Sequence, residues 1–165
     1  MRHSENRSAP GWFFLRQHWT HWLALGLGTG LAPVAPGTVG TLVGFVLFAL
    51  LWPLPVLLQW GVLLGLFVLG VPVCERAAQD LQQEDPGSVV WDEIVAFALV
   101  LEGAPHRVTG FILAFLLFRL FDIWKPFPIR WVDQRVRGGW GIMLDDLLAA
   151  LYALLVLHQL QGLLP

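Results

Sequence analysis

Acidic and basic side chains of this sequence are concentrated at a few places between long apolar runs. Three groups stand at close spacing: the pair Asp92-Glu93, the pair Asp145-Asp146, and Arg119, Asp122 and Lys125 at intervals of three. Neighbouring carboxylates repel one another, and a hard divalent cation such as Mg²⁺ relieves the repulsion because it prefers oxygen ligands. Arginine and lysine beside them match the charge of a phosphate. Together these groups favour metal-assisted phosphoryl chemistry, with an activated water as attacking group and one carboxylate as general base.

A charge-free segment rich in glycine, threonine and proline, residues 26–41, is a second candidate for contact with phosphate. Its glycines let backbone N–H groups point outward towards an anion, and a helix beginning near Thr38 would direct its positive end to the same place. We predict phosphate contacts from Thr29, Gly37 and Thr38. Glycine-rich turns are also common between helices, so composition alone leaves that plainer interpretation open.

Structural ion pairing is the alternative for each charged group taken singly. Asp122 stands three residues from Arg119 and from Lys125, the spacing of ion pairs on a helix surface. Asp145 and Asp146 would also favour the positive end of a final helix. Asp85 and Asp133, on either side of the central group, are second-tier candidates for the site.

Composition indicates an integral membrane protein. Of 165 residues, 56% are hydrophobic and 13% charged, with a mean hydropathy of +0.65, whereas about a quarter of a soluble domain is charged. The net charge of −2 gives no reason to expect nucleic-acid binding. The single cysteine, Cys74, excludes an internal disulfide and a cysteine-rich metal site. We predict one all-α, membrane-embedded domain over residues 11–165, after a mobile polar tail of residues 1–10.

The apolar runs predict a polytopic helical bundle. Residues 11–27 mix tryptophan with arginine and histidine, which is typical of an interfacial helix, so His18 and His21 are interpreted as interfacial side chains rather than metal ligands. Residues 38–52, 56–74 and 142–160 are predicted to span, the second ending before a polar return to water. Residues 94–101 and 108–120 are too short to span alone and predict a re-entrant hairpin. Pro126 and Pro128 end the helix after Lys125, and Gly138-Gly139 form a hinge before the last helix.

The basic residues predict the orientation. With a cytoplasmic N-terminus, nine of the ten lysines and arginines fall on the cytoplasmic side, and Arg107 alone falls outside. The glycine-rich segment and all three charged groups then share one face of the bilayer. This convergence favours a site over a set of unrelated ion pairs.

Four ordered motifs carry a resemblance to a known family. They are Gly28-Thr29-Gly30 with Pro33 and Pro36-Gly37-Thr38-x-Gly40-Thr41, then Val90-Trp91-Asp92-Glu93, then Phe118-Arg119-x-x-Asp122-x-x-Lys125-Pro126-x-Pro128-Ile129 with Asp133, and Gly138-Gly139-x-Gly141-Ile142-Met143-x-Asp145-Asp146. With these, residues 22–150 resemble the phosphatidylglycerophosphatase A family of bacterial inner-membrane lipid phosphatases. Thr41 and Ala150 depart from the serine and glycine frequent in the family, and both replacements are small.

The resemblance implies Mg²⁺-dependent removal of the terminal phosphate of phosphatidylglycerophosphate, which gives phosphatidylglycerol and inorganic phosphate. It implies a multi-pass protein of the bacterial inner membrane, with N-terminus and site on the cytoplasmic side. On this hypothesis four carboxylates hold the metal: Asp92, Glu93, Asp145 and Asp146. Arg119 and Lys125 clamp phosphate, and Asp122 orients them or joins the metal shell. The catalytic set is then Asp92, Glu93, Asp122, Lys125 and Asp146.

Two other classes remain as alternatives. Buried acids could bind a cation in a membrane carrier, although their clustering at one face rather than the midplane argues against it. A phosphotransferase using a CDP-linked lipid is the second, and it would release CMP. Whether the chain forms homo-oligomers is left open.

Overall fold

Residues 10–160 are described by the computed structural model, and they form eight α-helices, one 3-10 segment and no strand. The helices are α1 (Trp12–Leu15), α2 (Trp19–Ala24), α3 (Pro36–Leu51), α4 (Val56–Leu81), α5 (Trp91–Gly103), α6 (Val108–Trp124), α7 (Ile129–Arg135) and α8 (Gly138–Leu160), with the 3-10 segment at Gly26–Leu31. The all-α prediction is confirmed for this part of the chain. The predicted polar tail falls almost wholly on residues 1–9, outside the described residues.

Two helices in the described part of the chain are long and apolar enough to cross a membrane: α4, with 26 residues, and α8, with 23. The predicted span of residues 56–74 is part of a longer helix, since α4 continues to Leu81. The added turns contain good helix formers and an i,i+4 ion pair between Arg76 Nε and Asp80 Oδ2, at 2.8 Å. Gln82, with φ of +54°, ends the helix.

Prolines set the limits of α3 and α6. Pro36 occupies the first turn of α3, where its fixed φ favours a helix start, so the helix begins two residues before the predicted Thr38. At 16 residues α3 is about 24 Å long, short of a hydrocarbon core of about 30 Å. The helix α6 ends at Trp124, before Pro126, as predicted.

The final helix starts earlier than predicted. It includes Gly138 and Gly139, and only Gly138 has the left-handed φ, +68°, that a turn requires. The predicted two-residue hinge is therefore a one-residue turn. The helix then packs against α4, α5, α6 and α7. Its buried alanines, among them Ala149 and Ala153, allow this close approach.

Several helix ends meet at one end of the bundle. Gly37 at the start of α3 lies against Glu93 at the start of α5 and Arg119 near the end of α6. Glu75 near the end of α4 contacts Gly139 at the start of α8. The charged groups and the glycine-rich segment predicted to share one face are thus brought together.

The N-terminal segment differs from its prediction. Instead of one interfacial helix, α1 and α2 are separated by a break at Gln17 and His18. Trp12 and Trp19 are exposed as expected. The interfacial interpretation of His21 was wrong: its ring is 1% exposed and stacks on Phe14. Its two nitrogens lie 2.8 Å from the Phe14 carbonyl and 2.8 Å from Asp80 Oδ2, so it fastens α2 to α4.

Candidate active site

Arg119 is the cation at the centre of one half of the site. Its Nη1 lies 2.6 Å from Asp122 Oδ2 and 3.2 Å from Glu93 Oε1, and it donates to Thr41 Oγ1 at 3.4 Å. The i,i+3 spacing on α6 makes the Asp122 pair, while the packing of α5 and α3 brings the other two partners. The three charged side chains are 13–16% exposed, so they form a largely desolvated cluster. The helix-surface pair expected as the plain alternative exists, and it is part of a larger arrangement.

Lys125 is the cation at the centre of the other half of the site. Its Nζ lies 2.6 Å from Asp133 Oδ1 and 2.6 Å from Asp145 Oδ2. The residue caps α6 with a left-handed φ of +46°, which turns its side chain back over α8. Burial works to lower the pKa of Lys125, but the two carboxylates outweigh it and hold the pKa above the ordinary lysine value. Lys125 is therefore an ammonium ion throughout the physiological range.

Asp92 and Asp146 are buried acids of the site, 7% and 3% exposed. They lie on α5 and α8, within electrostatic range of each other and of Asp145 and Glu93. One oxygen of each has no hydrogen-bond partner within residues 10–160, and neither has Glu93 Oε2. Buried carboxylate oxygens without a donor are costly, so they indicate a place for a positive charge that the protein side chains do not supply.

Two clefts flank this group of acids. One, of about 540 Å³, is lined by the 3-10 segment and the start of α3, with Gly37, Glu93 and Arg119 at its polar wall. The other, of about 310 Å³, is lined by Asp85, Asp133 and Asp145. The second-tier candidates Asp85 and Asp133 thus share a cleft with one of the predicted metal ligands.

The pKa of Asp85 is raised from its ordinary value. Desolvation by the surrounding protein is the largest cause; Lys125 opposes it, and the carboxylates of Asp133 and Asp122 add to it. The side chain itself is exposed at the cleft.

The predicted phosphate-binding residues fall into two groups. Gly37 lies in the first turn of α3, so close to Glu93 that a side chain there would overlap the carboxylate. Thr38 is half-buried in the same turn. Thr29 donates its hydroxyl to Gly26 O at 2.9 Å, which leaves its oxygen as an acceptor only. Gly37 and Thr38 therefore stand at the Arg119 cleft, while Thr29 stabilises the turn that leads to it.

The donor set fits a hard divalent cation. Asp92, Glu93 and Asp146 each offer a buried oxygen that accepts no hydrogen bond among the described residues. Over residues 10–160, no three histidine, cysteine or acidic side chains already stand in the arrangement of a metal site. Asp145, the fourth predicted ligand, is engaged by Lys125.

Sequence reasoning missed Glu75 beside the site. Glu75 accepts a hydrogen bond from the Gly139 N–H, which no local pattern indicates because α4 and α8 are far apart in sequence. Thr41 belongs to the first motif, where it stands in place of the serine frequent in the family. In the structure it is fully buried, donates to Gly37 O at 2.8 Å and receives the Arg119 guanidinium.

Comparisons with known proteins agree with the geometry. Residues 22–161 match the model of the family Phosphatidylglycerophosphatase A. The Haemophilus influenzae protein named phosphatidylglycerophosphatase A is 45% identical over 143 residues, which are 86% of this chain and 88% of that one. The Escherichia coli protein of the same name is 41% identical over 84% of this chain and 81% of its own length.

A third relative carries a different name. A Bacteroides thetaiotaomicron protein, provisionally named a phosphatidylinositol-3-phosphatase, is 35% identical over 82% of this chain and 89% of its own length. No solved structure gives a significant match. The matched family model spans most of the chain and includes every charged group described above, so this chain is a member of the phosphatidylglycerophosphatase A family of phosphatases.

Proposed function

We propose that this protein is a membrane-embedded phosphatase that removes the terminal phosphate of phosphatidylglycerophosphate, leaving phosphatidylglycerol and inorganic phosphate. Membership of the family and the names of two relatives supply the reaction. The observation that carries it here is a desolvated guanidinium, Arg119, paired with Glu93. Among residues 10–160, Glu93 is one of three acids that keep a buried, unpartnered oxygen, with Asp92 and Asp146. That combination suits a phosphate monoester and the cation that accompanies it.

A membrane surrounds the bundle in this proposal. The outer faces of α3 and α6 expose apolar stripes at four-residue spacing, Leu42, Val46 and Leu50 on one and Ile112, Leu116 and Leu120 on the other. Apolar stripes on this scale are unfavourable in water and suit lipid. With α4 and α8 spanning, the shorter α5 and α6 form a hairpin supported by the other helices.

The site then lies at the depth of the lipid headgroups. Helix ends carry Glu93, Arg119 and Lys125 to the same end of the bundle, while Arg107 lies at the start of α6, at the other end. The positive-inside rule assigns the charged end to the cytoplasm, in the inner membrane of a bacterium. A diacyl lipid can keep its chains in the leaflet while its terminal phosphate enters the Arg119 cleft.

Arg119 binds the phosphate in this proposal. Its Nη1 holds Glu93 and Asp122 in place, and its Nε has no partner within the described residues. A guanidinium has five N–H donors, so donors remain for phosphate oxygens while the ion pairs persist. Gly37 leaves the approach to this cation open because it has no side chain. Lys125 adds a second positive charge at the opposite side of the acids.

Four carboxylates would hold Mg²⁺: Asp92, Glu93, Asp145 and Asp146. Asp92, Glu93 and Asp146 would bind it through the oxygens that no donor among the described residues reaches. Bound there, the ion supplies water activation and offsets the charge of the phosphate. Burial keeps bulk water from the acids and strengthens their electrostatic interactions. One carboxylate of the group accepts the proton of the attacking water, and Asp122 keeps Arg119 oriented towards the substrate.

Phosphate release by the purified protein in detergent tests this proposal. Wild type is compared with Asp92→Asn and Asp146→Asn, each with Mg²⁺ and with EDTA, on phosphatidylglycerophosphate, phosphatidic acid and phosphatidylinositol-3-phosphate. We expect wild type to release phosphate from the first substrate only with Mg²⁺, and both variants to lose turnover while remaining folded by circular dichroism. Both changes are isosteric, so they remove charge without creating a cavity.

Four results would contradict the proposal. Near-normal turnover in either variant would refute the metal assignment, and full activity in EDTA would refute the cation. CMP release from a CDP-linked lipid would indicate the phosphotransferase instead. Cation uptake into proteoliposomes without phosphate release would indicate the carrier.

A further inference from the structure

We infer that Glu75 is a positioning residue that sets the placement of Asp145 and Asp146 by fastening the first turn of α8 to α4. Glu75 Oε2 accepts the backbone N–H of Gly139 at 2.5 Å, and Oε1 accepts from Gln79 Nε2 at 2.6 Å. The N–H groups of a first helical turn have no partner within their own helix. Glu75, which lies on a different helix, therefore supplies a hydrogen-bond acceptor for the Gly139 N–H. The functional part of the inference rests on the proposed phosphatase activity.

The approach of the two helices at this point is unusually close. A side chain at Gly139 would overlap the Val71 carbonyl, and one at Gly138 would overlap the Glu75 carboxylate. Gly138 also has a φ of +68°, which other residues adopt at a cost. Only glycine at positions 138 and 139 allows the Gly139 N–H to reach the Glu75 carboxylate. The contact therefore depends on residues of α8 as well as on Glu75 of α4.

A single face of α8 connects this contact to the acids. Residues spaced by four and then three lie on one side of a helix, so Gly139, Met143 and Asp146 share a face. Met143 packs in the same contact between α4 and α8. Its Sδ lies 3.8 Å from Cys74 Sγ and is also close to Gly70. Cys74 is the neighbour of Glu75 on α4. These contacts between α4 and α8 thus set both the rotation and the axial position of α8.

Asp146 depends on that rotation. It lies seven residues after Gly139, about two turns or roughly 10 Å along the axis. A helix turns about 100° per residue, so a small rotation of α8 would move Asp146 away from Asp92 and Asp145 away from Lys125. Met143 is flexible and adapts to such a movement, whereas the directional hydrogen bond to Glu75 resists it.

Glu75→Ala and Glu75→Gln separate this role from a merely structural one. The glutamine keeps an acceptor for the Gly139 N–H, while the alanine removes it. We expect Glu75→Ala to lower kcat by about 10- to 100-fold with KM changed less than about threefold, the effect of a roughly 1 Å misplacement. Glu75→Gln should restore most of kcat. Arg76→Ala, at the exposed neighbouring position, is the matched control and should keep wild-type kinetics.

Amide hydrogen exchange over residues 136–146 provides a readout that needs no activity. Exchange of the first turn of α8 should rise in Glu75→Ala and return towards wild type in Glu75→Gln. Unchanged exchange or unchanged kcat in Glu75→Ala would overturn the inference. Equal loss of kcat in both variants would also overturn it, because charge rather than placement would then matter. An inactive wild type with the expected exchange pattern would instead count against the proposed function alone.

Discussion

Substitution of Arg119 separates its two roles, holding the acids together and binding phosphate. Its Nη1 is the common partner of Glu93 and Asp122, and both carboxylates are 13% exposed. Arg119→Ala leaves two nearly buried negative charges without their cation. Arg119→Lys keeps a positive charge near the position of Nη1 but removes the Nε and Nη2 donors.

The expected magnitudes differ between these variants. Breaking a buried ion pair by removing one partner costs about 3–5 kcal/mol, so Arg119→Ala should lower the melting temperature by about 6–20 °C for a chain of this size. Arg119→Lys should cost less than about 1 kcal/mol, because a single ammonium can still contact both acids. The lost phosphate hydrogen bonds, about 1.5–3 kcal/mol to a charged group, correspond to a fall in kcat/KM of about 10- to 150-fold.

Thermal unfolding in detergent and phosphate release at several substrate concentrations measure both effects on the same preparations. Arg76→Lys is the control, since Arg76 also pairs with a carboxylate, Asp80 at 2.8 Å, but is half exposed and outside the clefts. Wild-type kcat/KM in Arg119→Lys would refute the assignment of Arg119 to phosphate. An unchanged melting temperature in Arg119→Ala would refute the reasoning from desolvation.

Two further substitutions test neighbouring parts of the site. Gly37→Ala should reduce phosphate release and lower stability, because the new methyl group overlaps the Glu93 carboxylate. Gly61→Ala, in the second turn of α4, is the control: its methyl group meets no atom within 4 Å, so it should be neutral or slightly stabilising. Equal effects of the two alanines would contradict the packing argument. Asp85→Asn should raise the melting temperature slightly at neutral pH, since the raised pKa of Asp85 means that its charged form destabilises the fold. This gain should disappear as pH falls through the raised pKa towards the ordinary value of 3.8, and a gain independent of pH would contradict the sign.

The sequence predicts the helices better than their ends. Apolar length and proline positions indicate every major helix, because these are local properties. The polar residues after the predicted span were interpreted as a return to water, but they are good helix formers and continue α4 to Leu81. The start of α3 at Pro36 was missed because glycine and threonine weigh against a helix, while packing against α5 compensates for their weak propensity.

The sequence predicts which charged residues lie close together but not how they pair. Spacing identifies Arg119 and Asp122 as an ion pair, since three residues make one turn of helix. It does not indicate that Lys125 bridges Asp133 and Asp145, because that depends on the left-handed cap of α6 and on the packing of α7 and α8. The roles of His21 and Glu75 were likewise beyond the sequence. Each is set by a partner more than 50 residues away in the chain.

Phosphorus NMR of a single reaction shows which phosphate of the substrate the protein removes. Phosphatidylglycerophosphate has one monoester and one diester phosphorus, which resonate separately. Incubation of the purified protein with this lipid and Mg²⁺ should convert the monoester signal into inorganic phosphate while the diester signal persists as phosphatidylglycerol. Persistence of the monoester signal, or loss of the diester signal, would contradict the account.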